Sequence, residues 1–224
     1  ALVWFGLHEP NPGGEGESWK QYFSTLGQIV KKKGVSLFVA FLIGFLALSI
    51  LFGFLSYLSD ILEQRFHLQG VMKGLALAVP VGAMAATSYG TGVFLEKRQQ
   101  LLKGALIVGM AIAALSLAVV PLCVSKKMVF PAAVIAAGIG IGMVLPPLNT
   151  FITGATSQDE RGVVTAVYGT VRFFGVAVGP PAFGAIGFDR VGLFYGVGAL
   201  ALTAAVLGYF LIDPQRLLAY ETSQ

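Results

Sequence analysis

Charge is scarce in this chain. Only 12% of its 224 residues are Asp, Glu, Lys or Arg, about half the roughly 25% of a soluble domain. A water-soluble fold needs more polar surface than that, so a soluble enzyme, a disordered chain and a nucleic-acid-binding module are all excluded. The single cysteine, Cys123, allows no internal disulfide. The two histidines, His8 and His67, fall in loops without cysteine neighbours, so metal-ligand spacing is missing. No serine–histidine pair or paired aspartates occur at membrane depth, which leaves an intramembrane hydrolase without machinery. What remains is apolar: 56% hydrophobic residues and a mean hydropathy of +0.79. The bilayer is the expected solvent for most of the chain.

Six long stretches carry almost no charge: 35–59, 74–95, 104–125, 128–158, 162–188 and 191–212, with Arg172 the one exception. A hydrocarbon core about 30 Å thick takes roughly 20 apolar residues at 1.5 Å each, so each stretch is long enough to cross. A β-barrel would alternate in ten-residue segments, and these do not. The expected fold class is all-α, a polytopic membrane protein with a six-transmembrane-helix bundle. An even number of crossings puts both ends on one side. Nine Lys and Arg lie outside the spans on that side and five on the other, so both ends are expected in the cytoplasm of a multi-pass cell-membrane protein. The +4 charge follows from this bias and calls for no nucleic acid.

Residues 1–7 (ALVWFGL) are expected to be the end of a truncated transmembrane helix, and 8–34 a cytoplasmic linker. Within the linker, Trp19, Tyr22, Phe23, Leu26, Ile29 and Val30 recur at helical spacing before Lys31-Lys32-Lys33. That pattern suits an amphipathic helix on the inner leaflet. The six-helix bundle is expected over 35–212 and a cytoplasmic tail over 213–224.

Small residues mark where membrane helices meet. Gly175-x3-Gly179 and Gly192-x3-Gly196 have the required spacing. Gly138, Gly140 and Gly142 alternate in a GIGIG string inside an uncharged run, without the strand, turn or acidic residue of a dinucleotide site, so no cofactor is expected. Pro80, Pro146, Pro147, Pro180 and Pro181 fall within spans and suit helices that bend.

Arg172 lies about 15 Å deep if its helix enters near Gly162. Insertion scales put roughly +2.5 to +3.5 kcal/mol on an arginine there, so it needs a cavity or a partner. No acid lies in the uncharged stretches. The expected partner is a substrate anion, a carboxylate on missing helices, or backbone carbonyls and polar groups such as Asn149. The bland alternative is an arginine that locks helices by hydrogen bonds. Thr165, Tyr168, Gly175, Val176 and Gly179 share its helix face and read as a cavity-lining stripe, with Phe173 beside it. Asp60 and Glu63, at the outer end of the first span, are candidate proton-coupling carboxylates or plain solvated charges.

Three stretches carry a resemblance: YLSDILE (57–63) with KGLALAVP (73–80), LPPLNTFITGATSQDERGVVTAVYG (145–169), and TVRFFGVAVGPPAFG (170–184). In this order they resemble the C-terminal half of a major facilitator superfamily transporter. The likeness is to bacterial multidrug-resistance-type proteins of the drug:proton antiporter and anion:cation symporter branches. The resemblance implies half of a twelve-helix fold, with the spans here as helices seven to twelve. The implied partners are membrane lipid, an N-terminal six-helix bundle, a small-molecule substrate and protons, with no cofactor. Gly92, Glu96 and Lys97 resemble the family's cytoplasmic loop motif, although Gln99 stands where its later glycine would be. Asp159, Glu160 and Arg161 correspond to charged loops that help close the cytoplasmic gate. Gly175, Gly179 and Pro180, with Gly184 beyond, resemble the antiporter glycine–proline motif, with Ala166 in place of an earlier glycine. The implied function is alternating-access, proton-coupled efflux of small amphipathic compounds or drugs. A lipid or glycolipid flippase on the same scaffold, and a non-transporting six-helix scaffold or channel, are the alternatives.

Overall fold

The computed structural model describes residues 19–123, 129–156, 158–185 and 190–218, with side chains from residue 34 onward except for 158–160, 185, 190 and 191. The expected helix end at 1–7, residues 8–18 of the linker and the amphipathic side chains before Gly34 lie outside that set. The described chain is all helix and turn. Helix α1 runs Trp19–Gln64, α2 Gly70–Glu96, α3 Leu102–Cys123, α4 Val129–Gly154, α5 Gln158–Ala185 and α6 Arg190–Leu211; a short α7, Pro214–Leu217, follows. A 3₁₀ turn, Gln99–Leu101, leads into α3. Among the described residues, six helices are long and apolar enough to cross a membrane. The fold is an all-α polytopic bundle.

Helix is the only solution open to such runs, because a backbone in hydrocarbon must satisfy its own N–H and C=O groups. Several threonine hydroxyls inside the spans follow the same rule. Thr150, Thr153, Thr165, Thr170 and Thr203 each donate to the carbonyl four residues earlier, so none needs a partner from another helix. The helices also outrun the uncharged stretches. α1 continues through Asp60 and Glu63 to Gln64, where Lys73 of α2 donates to the Glu63 carboxylate at 2.6 Å.

The long first helix is broken at Gly34, whose φ of 61° and ψ of −146° lie outside the helical region. That conformation is essentially reserved for glycine. It divides the lysine-ended segment from the first span. Two residues further on, buried Ser36 donates from Oγ to the Leu211 carbonyl at 2.6 Å and accepts from the Asp213 N–H at 3.3 Å. The start of the first span is thereby tied to the end of the sixth.

Four seams assemble the bundle: α1 on α5, α4 on α2, α4 on α3, and α3 on α6, with α1 also touching α4 and α6. The GIGIG string explains the two made by α4. Gly138 and Gly142 lie four residues apart on one face, where an added Cβ would strike the backbone carbonyls of Pro80 and Met84 in α2. Gly140 faces the other way, where a Cβ would lie 2.6 Å from both the Ala113 nitrogen and the Gly109 oxygen of α3. Alternating glycines therefore let one helix approach two neighbours at once. Burial is uneven. Only 6% of the apolar window of α2 and 22% of that of α5 is buried, against 44–56% for the other four spans.

Candidate functional site

The candidate site sits halfway along α5. Arg172 lies near the middle of the span Arg161–Gly184, about 17 Å from either end at 1.5 Å per residue. Its side chain is half-buried. The guanidinium carbon stands 5.5 Å from the Tyr168 ring centre and 5.6 Å from that of Phe173, within cation–π range of both. Arg172 Nε is buried and has no hydrogen-bond partner among the described residues. No Asp or Glu makes an ion pair with it there.

Two more buried polar atoms share the α1–α5 seam and have no hydrogen-bond partner among the described residues: the Tyr168 hydroxyl and Ser49 Oγ. Tyr168 is only 4% exposed. Its ring fits against α1 because residue 44 is glycine: a Cβ there would come within 2.6 Å of the ring. Phe41 packs on the same ring, centre to centre 5.5 Å. Further along, Cβ atoms at Gly175 and Gly179 would meet the carbonyls of Phe45 and Ser49, and Gly175 lies beside the Ser49 hydroxyl. Pro180 and Pro181 follow within the same helix and leave the carbonyls of Val176 and Ala177 without their usual N–H donors.

The structure thus brings Arg172 and Tyr168 together, with Phe173 on the exposed side of α5. The stripe of Tyr168, Gly175 and Gly179 is packed against α1 instead of lining open space, because the glycines admit the neighbouring backbone. Val176 is half-buried, and Thr165 bonds its own helix at the Arg161 carbonyl, 2.6 Å away. Asn149 is exposed on α4, and its side chain makes no hydrogen bond among the described residues. Ser49 was missed by sequence reasoning, since a serine in an apolar run says nothing until its neighbour across the seam is known.

Remaining candidates occupy the two ends. Asp60 is exposed, and Glu63 is engaged by Lys73. Gly92 is half-buried, its nearest added-Cβ contact being Pro146 at 4.0 Å, while Glu96, Lys97 and Arg161 are exposed. Asp159 and Glu160 belong to the first turn of α5, but their side chains lie outside the described residues. Gly184 faces open space, as does Gly196. The Gly192-x3-Gly196 spacing therefore does not mark a close helix contact at Gly196.

Six apolar spans, a mid-span arginine and glycine-built seams are joined by a match over residues 1–180 to the Major Facilitator Superfamily. The chain belongs to that superfamily. It is also similar to the bacillibactin exporter of Bacillus subtilis (strain 168), with 30% identity over 210 residues. That alignment covers 93% of this chain and 52% of the exporter, so the chain spans about half the length of this relative. As a major facilitator superfamily member it is a multi-pass membrane protein.

Proposed function

We propose that this chain forms helices seven to twelve of an alternating-access secondary transporter, a carrier and not an enzyme, that exports small amphipathic compounds. In this reading the bundle occupies 35–212, preceded by a helix-six end at 1–7 and a linker at 8–34, and followed by a tail at 213–224. It lies in the cell membrane with both ends cytoplasmic, which accords with nine basic residues against five outside the spans. The observation that carries the proposal is Arg172: a half-buried guanidinium in mid-span with an orphaned Nε. Such a group is costly in lipid and marks a pathway or binding site.

A first six-helix bundle would cover the open faces of α2 and α5, which are the least buried spans. Substrate would then sit between the bundles, drawn by Arg172 and flanked by Phe173, with Tyr168, Thr165 and Asn149 around it. The relative's name, an exporter, supports the outward direction. A proton gradient would drive the cycle, with Asp60 and Glu63 as the coupling carboxylates. Glu63 would have to exchange its Lys73 partner for a proton. Gly92, Glu96 and Lys97, with Asp159, Glu160 and Arg161, would close the cytoplasmic side. Gly175, Gly179, Pro180 and Gly184 would let α5 shift along α1.

The test is export by the full-length protein in proteoliposomes. Arg172→Ala should cut the rate at least about tenfold, the loss expected on removing a charged hydrogen-bond donor. Wild-type transport in that variant would remove Arg172 from the mechanism. Movement of lipid instead of soluble compounds would turn the reading to a flippase.

A further inference from the structure

Away from the α1–α5 seam, an open groove of about 520 Å³ lies between α2 and α3, with Met143 of α4 as part of its floor. Its walls are apolar, Phe94 on one side and Val108 on the other, and two glycines keep it open. A Cβ at Gly90 or Gly104 would meet nothing within 4 Å. These glycines therefore serve no helix contact among the described residues, unlike Gly138, Gly140 and Gly142.

The groove has a length and a polarity. Along α2 it runs from Leu95 to Thr87, which at 1.5 Å per residue is about 12 Å, close to the ~15 Å of one leaflet's hydrocarbon. Its mouth lies where α2 ends and the 3₁₀ turn begins, where the segment 96–103 holds three basic residues, Lys97, Arg98 and Lys103, and one acid, Glu96. Arg98 holds its guanidinium carbon 4.6 Å over the Phe94 ring, so the charge stands directly above a residue of the groove wall. Lys103 lies 5.4 Å from the Tyr209 ring. None of the three basic side chains makes an ion pair among the described residues. The N-terminus of the 22-residue α3 adds its positive dipole end at the same level.

An apolar slot one leaflet deep, capped by unpaired cations, matches a molecule with a hydrocarbon chain and a negative head. We propose that this groove holds a membrane phospholipid with an anionic headgroup, its acyl chain between α2 and α3 and its phosphate at Arg98, Lys97 and Lys103. The site is distinct from the Arg172 cluster, and its occupancy is read without any transport measurement.

The experiment is native mass spectrometry of the full-length protein in mild detergent with added phosphatidylglycerol or phosphatidylcholine. Phosphatidylglycerol should stay bound and phosphatidylcholine should not. Arg98→Gln should lower the retained phosphatidylglycerol about fivefold, as expected for one basic group at a membrane surface. Gly104→Leu should lower it at least as far by filling the slot, and since nothing lies within 4 Å of that Cβ the thermal stability should not fall. Gly90→Leu repeats the filling from the opposite wall should the first variant fold poorly. Equal retention of the two lipids, or wild-type retention in the filled variants, would overturn the proposal. So would a photo-crosslinker at position 104 that captures another segment of the protein in place of lipid.

Discussion

Along the seam between α3 and α4, Gly109, Ala113, Gly140 and Val144 bring two helices together and leave no orphaned polar side-chain atom among the described residues. The seam between α1 and α5 uses the same device, at Gly44, Gly53, Gly175 and Gly179, yet Ser49, Tyr168 and Arg172 each carry a buried polar atom there with no geometric hydrogen-bond partner among the described residues. Close backbone approach therefore serves both architecture and site. Unsatisfied polarity separates them, because a buried polar atom without a partner costs about 1–3 kcal/mol and so needs a compensating use. The first seam should behave as pure packing, and the second should give up some stability for function.

The largest expected effect that sharpens this contrast is Gly140→Val. Its Cβ meets backbone atoms of α3 on two sides at 2.6 Å, and backbone cannot swing aside, so a loss of about 3 kcal/mol or more is expected. Unfolding in a denaturing detergent titration measures it, and a change below 1 kcal/mol would mean α3 and α4 are less tightly joined. Gly179→Ala comes next, at about 1–3 kcal/mol, since its Cβ would press on the Ser49 carbonyl and, at 2.9 Å, the Gly53 nitrogen. Ser49→Ala should move the other way, gaining about 1 kcal/mol by removing an orphaned hydroxyl. A loss there would show that the hydroxyl has a partner in the working protein. Gly196→Ala should be nearly silent, within about 0.5 kcal/mol, because its Cβ enters open space. A large penalty at that position would reveal a contact outside this bundle.

The crossings were legible because an uncharged run of more than 20 residues has few other fates. The seams were less so. Gly175-x3-Gly179 and Gly192-x3-Gly196 share one spacing, yet Gly179 abuts a neighbouring backbone and Gly196 does not. Spacing fixes which residues share a helix face, and only the packed neighbours decide whether that face is used. GIGIG was readable as a rejected cofactor loop, but its division between α2 and α3 required the positions of both. Arg172 announced itself by charge alone. Its companion Ser49 did not, because one hydroxyl in an apolar helix usually bonds its own backbone, as the threonines here do. The Lys73–Glu63 pair depends on a turn geometry that ten residues of separation leave open.

The Ser36 hydroxyl gives the six-helix circuit a clasp, fastening its opening turn to its closing one through Leu211 and Asp213. A circuit fastened in this way offers no loose outermost rod at that corner. Mechanical extraction by a tether on the tail side must release the clasp before the last hairpin can leave the bilayer.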